Sequence, residues 1–335
     1  MENKIIVTES AFNMRSIARQ MLAEKWKIAV LGTLLYFLAS YIPTLIIDFV
    51  LGSNSTIGDF LSLVYNILVG GALLFGFSEM MLAIHRGSET IPSQVFSGFE
   101  QFGRAFSIYI LTGLFILLWA IPSIILFIIG IISIAGAMLG QSVGGGIFAI
   151  ICFIAALIAL ILPIRASFQY SQSFFLAIDN PDMGALEVIN KSKVLMDGNK
   201  WKLFCLKLSF IGWSILCTIP VFIVTMLFIF SMKYATMYSL SSDSIMNNAM
   251  LMENMNMSRG YTLMLYIGIF ASSFGFLWLT PYMTVATAGF YELLIGKLKV
   301  THKMDYSLEN ERLERPESNS NNTENNIAES ITKKN

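Results

Sequence analysis

The sequence predicts an all-α membrane protein: a polytopic bundle of six transmembrane helices with amphipathic helices on the cytoplasmic side. Three observations predict it. From Ala105 to Ile164 the chain runs sixty residues without Asp, Glu, Lys, Arg or His. As helix that stretch would measure roughly 90 Å against a hydrocarbon core of about 30 Å, so it has to fold back on itself. Hydrophobic residues make up 55% of the chain and charged residues only 13%, about half the charged share of a soluble domain. Lys and Arg, finally, gather in alternate connections between the apolar stretches.

The first 27 residues are polar and contain no short apolar core with a small-residue cleavage site. No removable signal peptide is therefore expected, and the first span would act as its own insertion signal. Charge-free windows then place spans at roughly 28–50, 60–84, 105–134, 144–168, 205–232 and 261–295. Within the sixty-residue run, Gln141, Ser142 and the triplet Gly144, Gly145 and Gly146 mark the turn. Residues 1–304 read as one membrane domain. From Asp305 the chain turns to Glu, Asn, Ser and Lys, the composition of a disordered tail.

Orientation follows from the basic residues. Lys4, Arg15, Arg19, Lys25 and Lys27 precede the first span, and Arg86 and Arg104 lie in the second connection. Arg165, Lys191, Lys193, Lys200, Lys202 and Lys207 surround the fourth. The first and third connections have no Lys or Arg, and the fifth, from Lys233 to Arg259, has only those two. Both termini are thus expected in the cytoplasm of a cell-membrane protein.

Ahead of each outward span lies an amphipathic segment. Ala11, Met14, Ala18, Met21 and Leu22 share one face, as do Val95, Phe99, Phe102 and Phe106. The third has Asn180 as cap and Pro181 at the first helical position. Ala185, Val188, Ile189, Leu195 and Met196 line its face, and Gly198 stops it. All three would lie as helices in the membrane interface on the cytoplasmic side; the first two read alternatively as loops covering helix ends.

These segments expose a threefold repeat: amphipathic segment, basic residue, outward span with an Ile-Pro pair, inward span. Lys27 leads to Ile42-Pro43, Arg104 to Ile121-Pro122 and Lys202 to Ile219-Pro220, at spacings of sixteen, eighteen and eighteen. Leu82-Ala83-Ile84 matches Leu176-Ala177-Ile178, and Phe174-Phe175 resembles Phe290-Tyr291. A pseudo-threefold pack of helix pairs would follow, unless the Ile-Pro spacing is coincidence. Pro43, Pro122, Pro163, Pro220 and Pro281 fall inside spans, where each removes a backbone donor and kinks its helix. Such kinks can frame a cavity, although proline is ordinary in membrane helices.

Ionisable groups within spans are the usual pointer to function. Here they are Asp48, near the outer end of the first span, and Glu79 and Glu292, which approach the cytoplasmic interface. Glu79, Glu292, Asn66, Gln169 and Tyr282 are the candidates to line a cavity or vestibule. No nucleophile stands beside a base, and no Gly-rich phosphate loop precedes Lys-Ser or Lys-Thr, so no catalytic residue is assigned. Cys152, Cys205 and Cys217 form no CxxC motif, and His85 and His302 are the only histidines, which leaves no expected metal site or cofactor. With 22 basic and 22 acidic residues and no basic patch, nucleic acid is excluded as a partner.

Residues Ser192–Trp213, SKVLMDGNKWKLFCLKLSFIGW, and Gly275–Leu294, GFLWLTPYMTVATAGFYELL, resemble the bacterial integral-membrane family catalogued as domain of unknown function 975. The resemblance extends over nearly the whole chain and implies a multi-pass bacterial membrane protein without assigned activity. A fainter likeness in architecture links it to the membrane domain attached to some glycerophosphodiesterases, but no such catalytic domain is present. The expectation is a non-enzymatic protein of the lipid bilayer that binds lipid or a small amphiphile, as a transporter-like element or an accessory to one. A scaffold docking a membrane or cytoplasmic protein partner is the alternative, and an intramembrane enzyme is least supported.

Overall fold

A computed structural model describes residues 5–52, 55–140, 143–239 and 247–298. Among these the backbone is helical nearly throughout and contains no strand. The helices are α1 (Ala11–Leu22), α2 (Trp26–Leu51), α3 (Thr56–His85), a 3₁₀ helix (Pro92–Phe99), α4 (Phe102–Gly140), α5 (Val143–Ala159) and α6 (Ile161–Gln169). They continue with α7 (Ser173–Asp179), α8 (Ala185–Leu195), α9 (Lys200–Leu208), α10 (Ile211–Ser239) and α11 (Asn247–Leu294). Five stretches are long and apolar enough to cross a membrane: Trp26–Leu51, Thr56–His85, Phe102–Met138, Gly144–Asp179 and Met264–Leu294. Lys200–Leu208 and Ile211–Leu227, bent by 45°, make a sixth if counted as one broken span. Residues up to Gly296 form one compact unit; of the second unit, which begins at Lys297, only Lys297 and Leu298 are described. The tail expected from Asp305 lies outside the described residues.

Several boundaries differ from the sequence reading, each for a local reason. Gly144–Gly146 do not form the turn; they open α5, where a Cβ on Gly145 would come within 3.1 Å of that of Ala137 on α4. Gln141 and Ser142 lie outside the described residues. The stretch expected as a loop from Lys233 to Arg259 is largely helical backbone, since α10 runs on to Ser239 and α11 starts at Asn247. The third amphipathic helix begins at Ala185, not Pro181. Asn180 is turned the other way: its Nδ2 donates to Leu176 O at 2.9 Å, so it closes the end of α7 and leaves Pro181–Met183 as a turn. The fifth span breaks at Ser209–Phe210, where Arg15 Nη1 donates to the Ser209 carbonyl at 3.2 Å and satisfies a group the bend would orphan.

The amphipathic faces are spent on protein in part: Met21 of the first and Phe99 and Phe102 of the second stay exposed. Met14, Ala18 and Leu22 of α1 are buried, with α1 packed on α11, α9 and α3. Val95 of the 3₁₀ helix is buried, and Val188 and Ile189 of α8 lie in apolar clusters with Phe75 and Ala105 and with Ala166 and Tyr170 respectively. These elements, with the lower turns of the spans, form the core at one end of the bundle. We term this end, which carries Lys25, Arg86, Arg104 and Lys207, the basic end. The 3₁₀ helix lies against α3 backbone to backbone: a Cβ at Gly76 would be 2.2 Å from Val95 O, and one at Gly98 2.0 Å from Ala72 O.

Away from that end, burial falls off. No residue between Leu34 and Leu51 of α2, or between Ile211 and Leu227 of α10, is buried, and in α3 only Gly58 is buried before Gly71. Each hairpin there packs chiefly on its own partner: α2 on α3, α4 on α5, α10 on α11.

The proposed repeat anchor shifts from Lys27 to Lys25. Lys25 Nζ donates to Ser88 O at 2.6 Å, just past α3, and Arg104 Nη2 donates to Asn180 O, just past α7. Lys25, Arg104 and Lys202 each precede their proline by eighteen residues, so the spacing becomes uniform. Four residues further on, Ala29, Ile108 and Leu206 are all buried. In the third pair the counterpart contact is made to another segment, Lys202 Nζ donating to Thr8 O at 3.0 Å.

Candidate functional site

The densest polar constellation lies at the basic end, where α3, α7 and α11 terminate. Arg86 is the C-cap of α3, Asp179 the last residue of α7, and Glu292 sits in the last turn of α11. Arg86 Nη1 and Nη2 donate to the two oxygens of Asp179, each at 2.7 Å, in a bidentate fork. Its Nε and Nη2 donate to Glu292 Oε1 at 2.8 and 2.6 Å. Tyr291 donates its hydroxyl to Asp179 Oδ2 at 3.0 Å, and its ring stacks on Phe175. The guanidinium also meets the negative ends of three helix dipoles, which favours a cation there.

The carboxylates are withdrawn from solvent, with the side chains of Asp179 and Glu292 only 13% and 7% exposed. The hydrogen bond to Asp179 raises the Arg86 pKa, opposed by desolvation and aided by Glu292, so the group stays charged. Next to it, His85 is buried against Gly289, and its Nδ1 has no hydrogen-bond partner. Chemically this is a clamp. It ties three spans by charge-assisted bonds.

A second fixture anchors the segment before α1. Asn199, wholly buried, accepts from Val7 N at 2.9 Å and donates to Ile5 O at 2.9 Å, pairing with an extended chain as a neighbouring strand would. Nearby, Trp26 stacks on Trp278 at 5.8 Å, and Tyr282 packs edge-on against Phe210.

Two concave regions stand out among the described residues. One, about 710 Å³ at the basic end, is lined by Lys25, Ile28, Glu89, Ile91, Gln94 and Phe96 among others. The other, about 560 Å³, lies toward the far ends of α2 and α11 and is lined by Ile42, Leu45, Ile46, Asp48, Phe49 and Tyr266. Both volumes fall in the range of small-molecule sites.

The five candidates from sequence are not brought together; each has its own partners. Glu79 accepts from Ser97 Oγ of the 3₁₀ helix at 2.5 Å, and Glu292 belongs to the clamp. Asn66 is exposed and donates to Ser62 O at 2.8 Å. Gln169 contributes its carbonyl to Ser192 Oγ at 2.9 Å, and the buried Tyr282 donates to Arg15 O at 3.2 Å. Pro43, Pro122, Pro220 and Pro281 are helix-internal, and Pro163 follows the interruption between α5 and α6. Sequence reasoning missed Arg86, which counted only as a topology marker, and Asp179, which was not singled out at all. A signal was present, for both lie just after the matched Leu-Ala-Ile triplets. Among the described residues no group of three His, Cys, Asp or Glu could hold a metal ion.

A bundle of long apolar helices closed at one end by an ionic clamp is a polytopic helical membrane protein. The chain belongs to the family described as protein of unknown function DUF975, whose profile matches residues 8–297. Comparison with curated proteins and with solved structures finds no match.

Proposed function

We propose that the protein is a non-enzymatic lipid- or amphiphile-binding protein of the cell membrane, acting as a transport element or as an accessory to one, with both termini in the cytoplasm. The observation that carries this reading is the unequal packing of the bundle. At the basic end the spans are locked by Arg86, Asp179 and Glu292, whereas toward the far end the hairpins leave long apolar faces unpacked on one another. Surfaces of that kind, separated by grooves rather than closed against protein, suit acyl chains. Native mass spectrometry of the protein released from detergent tests this: specific lipid should stay bound through delipidating washes, and its complete loss would end the proposal.

The orientation rests on the distribution of Lys and Arg. Reporter fusions at Ser93, Lys191 and Asn335 should read as cytoplasmic, and fusions at Asn54, Gln141 and Asn247 as external. A cytoplasmic signal at Asn247 would reverse it.

One observation favours a second reading, docking of a protein partner. The basic-end cleft mixes Lys25, Glu89 and Glu100 with Ile28, Ile91 and Phe96, and Ile91 is 65% exposed. Under that reading Ile91→Glu would abolish partner binding and leave lipid retention unchanged.

A further inference from the structure

We propose that the groove between α2 and α11 at the far end binds a phospholipid whose head group ends in a primary amine, with the ammonium on Asp48 and an acyl chain along Ile42, Leu45 and Ile46. The inference deepens the lipid-binding reading and rests on it. Three observations converge on this occupant. The first is depth. Trp26 opens α2 beside Trp278, an aromatic pair of the kind that marks a membrane interface. Asp48 lies twenty-two residues further along the helix, about 33 Å at 1.5 Å per residue. That is one hydrocarbon thickness of about 30 Å, which brings the carboxylate to the head-group level of the opposite leaflet. Ile42, Leu45 and Ile46 precede it by two to six residues and fall in the acyl-chain region beneath.

The second is charge. From Ile28 to His85 the chain has no Lys or Arg, and toward the far end it carries Asp48 and, in the first turn of α3, Asp59. Asp59 is accounted for by the positive end of its own helix. Asp48 sits near the negative end of α2, an unfavourable place for a carboxylate, and among the described residues it has no hydrogen-bond or ion-pair partner. A cation in the groove would relieve both. The third is shape. Ile42, Leu45 and Ile46 are 44%, 52% and 56% exposed, and Tyr266 of α11 forms the facing wall of a space of about 560 Å³. An apolar trough capped by one carboxylate matches a chain topped by an ammonium. An anionic head group would meet repulsion, and a trimethylated one would lose the N–H donors.

The test uses the full chain in nanodiscs of equal parts phosphatidylethanolamine, phosphatidylglycerol and phosphatidylcholine, with retained lipids counted by native mass spectrometry. The wild type should retain phosphatidylethanolamine about fivefold over the others, the size of one partly exposed ion pair. Asp48→Asn should erase that preference while total lipid retention persists, and Asp48→Glu should keep it. Ile46→Ala should lower total retention without changing the preference. Equal retention of the three lipids by the wild type, or an unchanged preference in Asp48→Asn, overturns the assignment of the groove and leaves the general lipid-binding reading standing. Absence of any retained lipid overturns both. Asp48 is partly exposed and, among the described residues, makes no hydrogen bond or ion pair, so the Asn variant isolates its charge.

Discussion

Helices α2 and α3 are neighbours of similar length, 26 and 30 residues, and their most apolar stretches have nearly equal mean hydropathy, 1.9 and 2.0. Yet 61% of that stretch of α3 is buried inside the protein and none of that of α2. The difference follows the size of the side chains that each helix presents to its neighbours. Gly71, Ala72 and Gly76 let α4 and the 3₁₀ helix approach the α3 backbone directly, while the far half of α2 presents Leu38, Tyr41, Leu45 and Ile46 outward. In lipid the tails are as apolar as leucine, so hydrophobicity alone does not decide which helix becomes the hub; close packing and polar bonds do. The same contrast recurs along α10, where nothing from Ile211 to Leu227 is buried, whereas the α4–α5 hairpin keeps Ser123, Ala149 and Cys152 buried.

The largest effect that can test this contrast is removal of the clamp. Arg86→Ala strands two carboxylates that are mostly withdrawn from solvent, and breaking a buried pair in this way costs about 3–5 kcal/mol. Thermal unfolding in detergent should show a large drop in midpoint. Arg86→Lys should recover only part of it, because an ammonium cannot fork onto Asp179 and reach Glu292 together. An unchanged midpoint in Arg86→Ala would mean that the three spans are held by packing alone.

Next in size are the glycines. Gly76→Ala or Gly98→Ala drives a methyl into a carbonyl of the facing element and should cost about 1–3 kcal/mol. Gly113 and Gly212, where an added Cβ would meet nothing within 4 Å, should accept alanine without loss. Equal outcomes at the two sets, read by the same unfolding assay, would remove the distinction between locked and open helix faces.

Asn199→Ala should have a smaller consequence, about 1–2 kcal/mol, since it leaves Val7 N and Ile5 O without their partner. The readout is local. Limited proteolysis should cut before Ser10 faster in the variant while the spans stay protected.

Much of the fold was legible because its signals are additive over long windows. Apolar length placed the spans, and the face of Ala11, Met14, Ala18, Met21 and Leu22 identified α1, with Met14, Ala18 and Leu22 turned inward and Met21 left exposed. What that face packs against was not legible, because a stripe suited to the membrane interface suits a protein groove equally. Asn180 misled for a related reason: the same side chain can cap the helix after it or the one before it, and only the course of α7 decides. The clamp stayed hidden because its members are 93 and 206 residues apart in sequence, with no motif binding them. The groove at Asp48 was half visible. Its carboxylate stood out in the sequence, but its apolar wall needed α11 beside α2.

The smallest expected effect compares positions along single helices. The isoleucines of the Ile-Pro pairs, Ile42, Ile121 and Ile219, are 44%, 42% and 41% exposed, while Ile108 and Leu206, thirteen residues earlier on the same spans as the latter two, are buried. Ile108→Ala or Leu206→Ala opens a cavity and should cost about 2–5 kcal/mol. At Ile121 or Ile219 the truncated side chain is replaced by lipid, so the change should stay within about 0.5 kcal/mol, and equally so at the two sites. Unfolding of the four alanine variants in one detergent gives the comparison directly. A cost at Ile219 matching that at Leu206 would mean that the far halves pack on protein in the membrane, either by closing on one another or by meeting a second copy. The open grooves, and the lipid-binding reading built on them, would then have no place in the molecule.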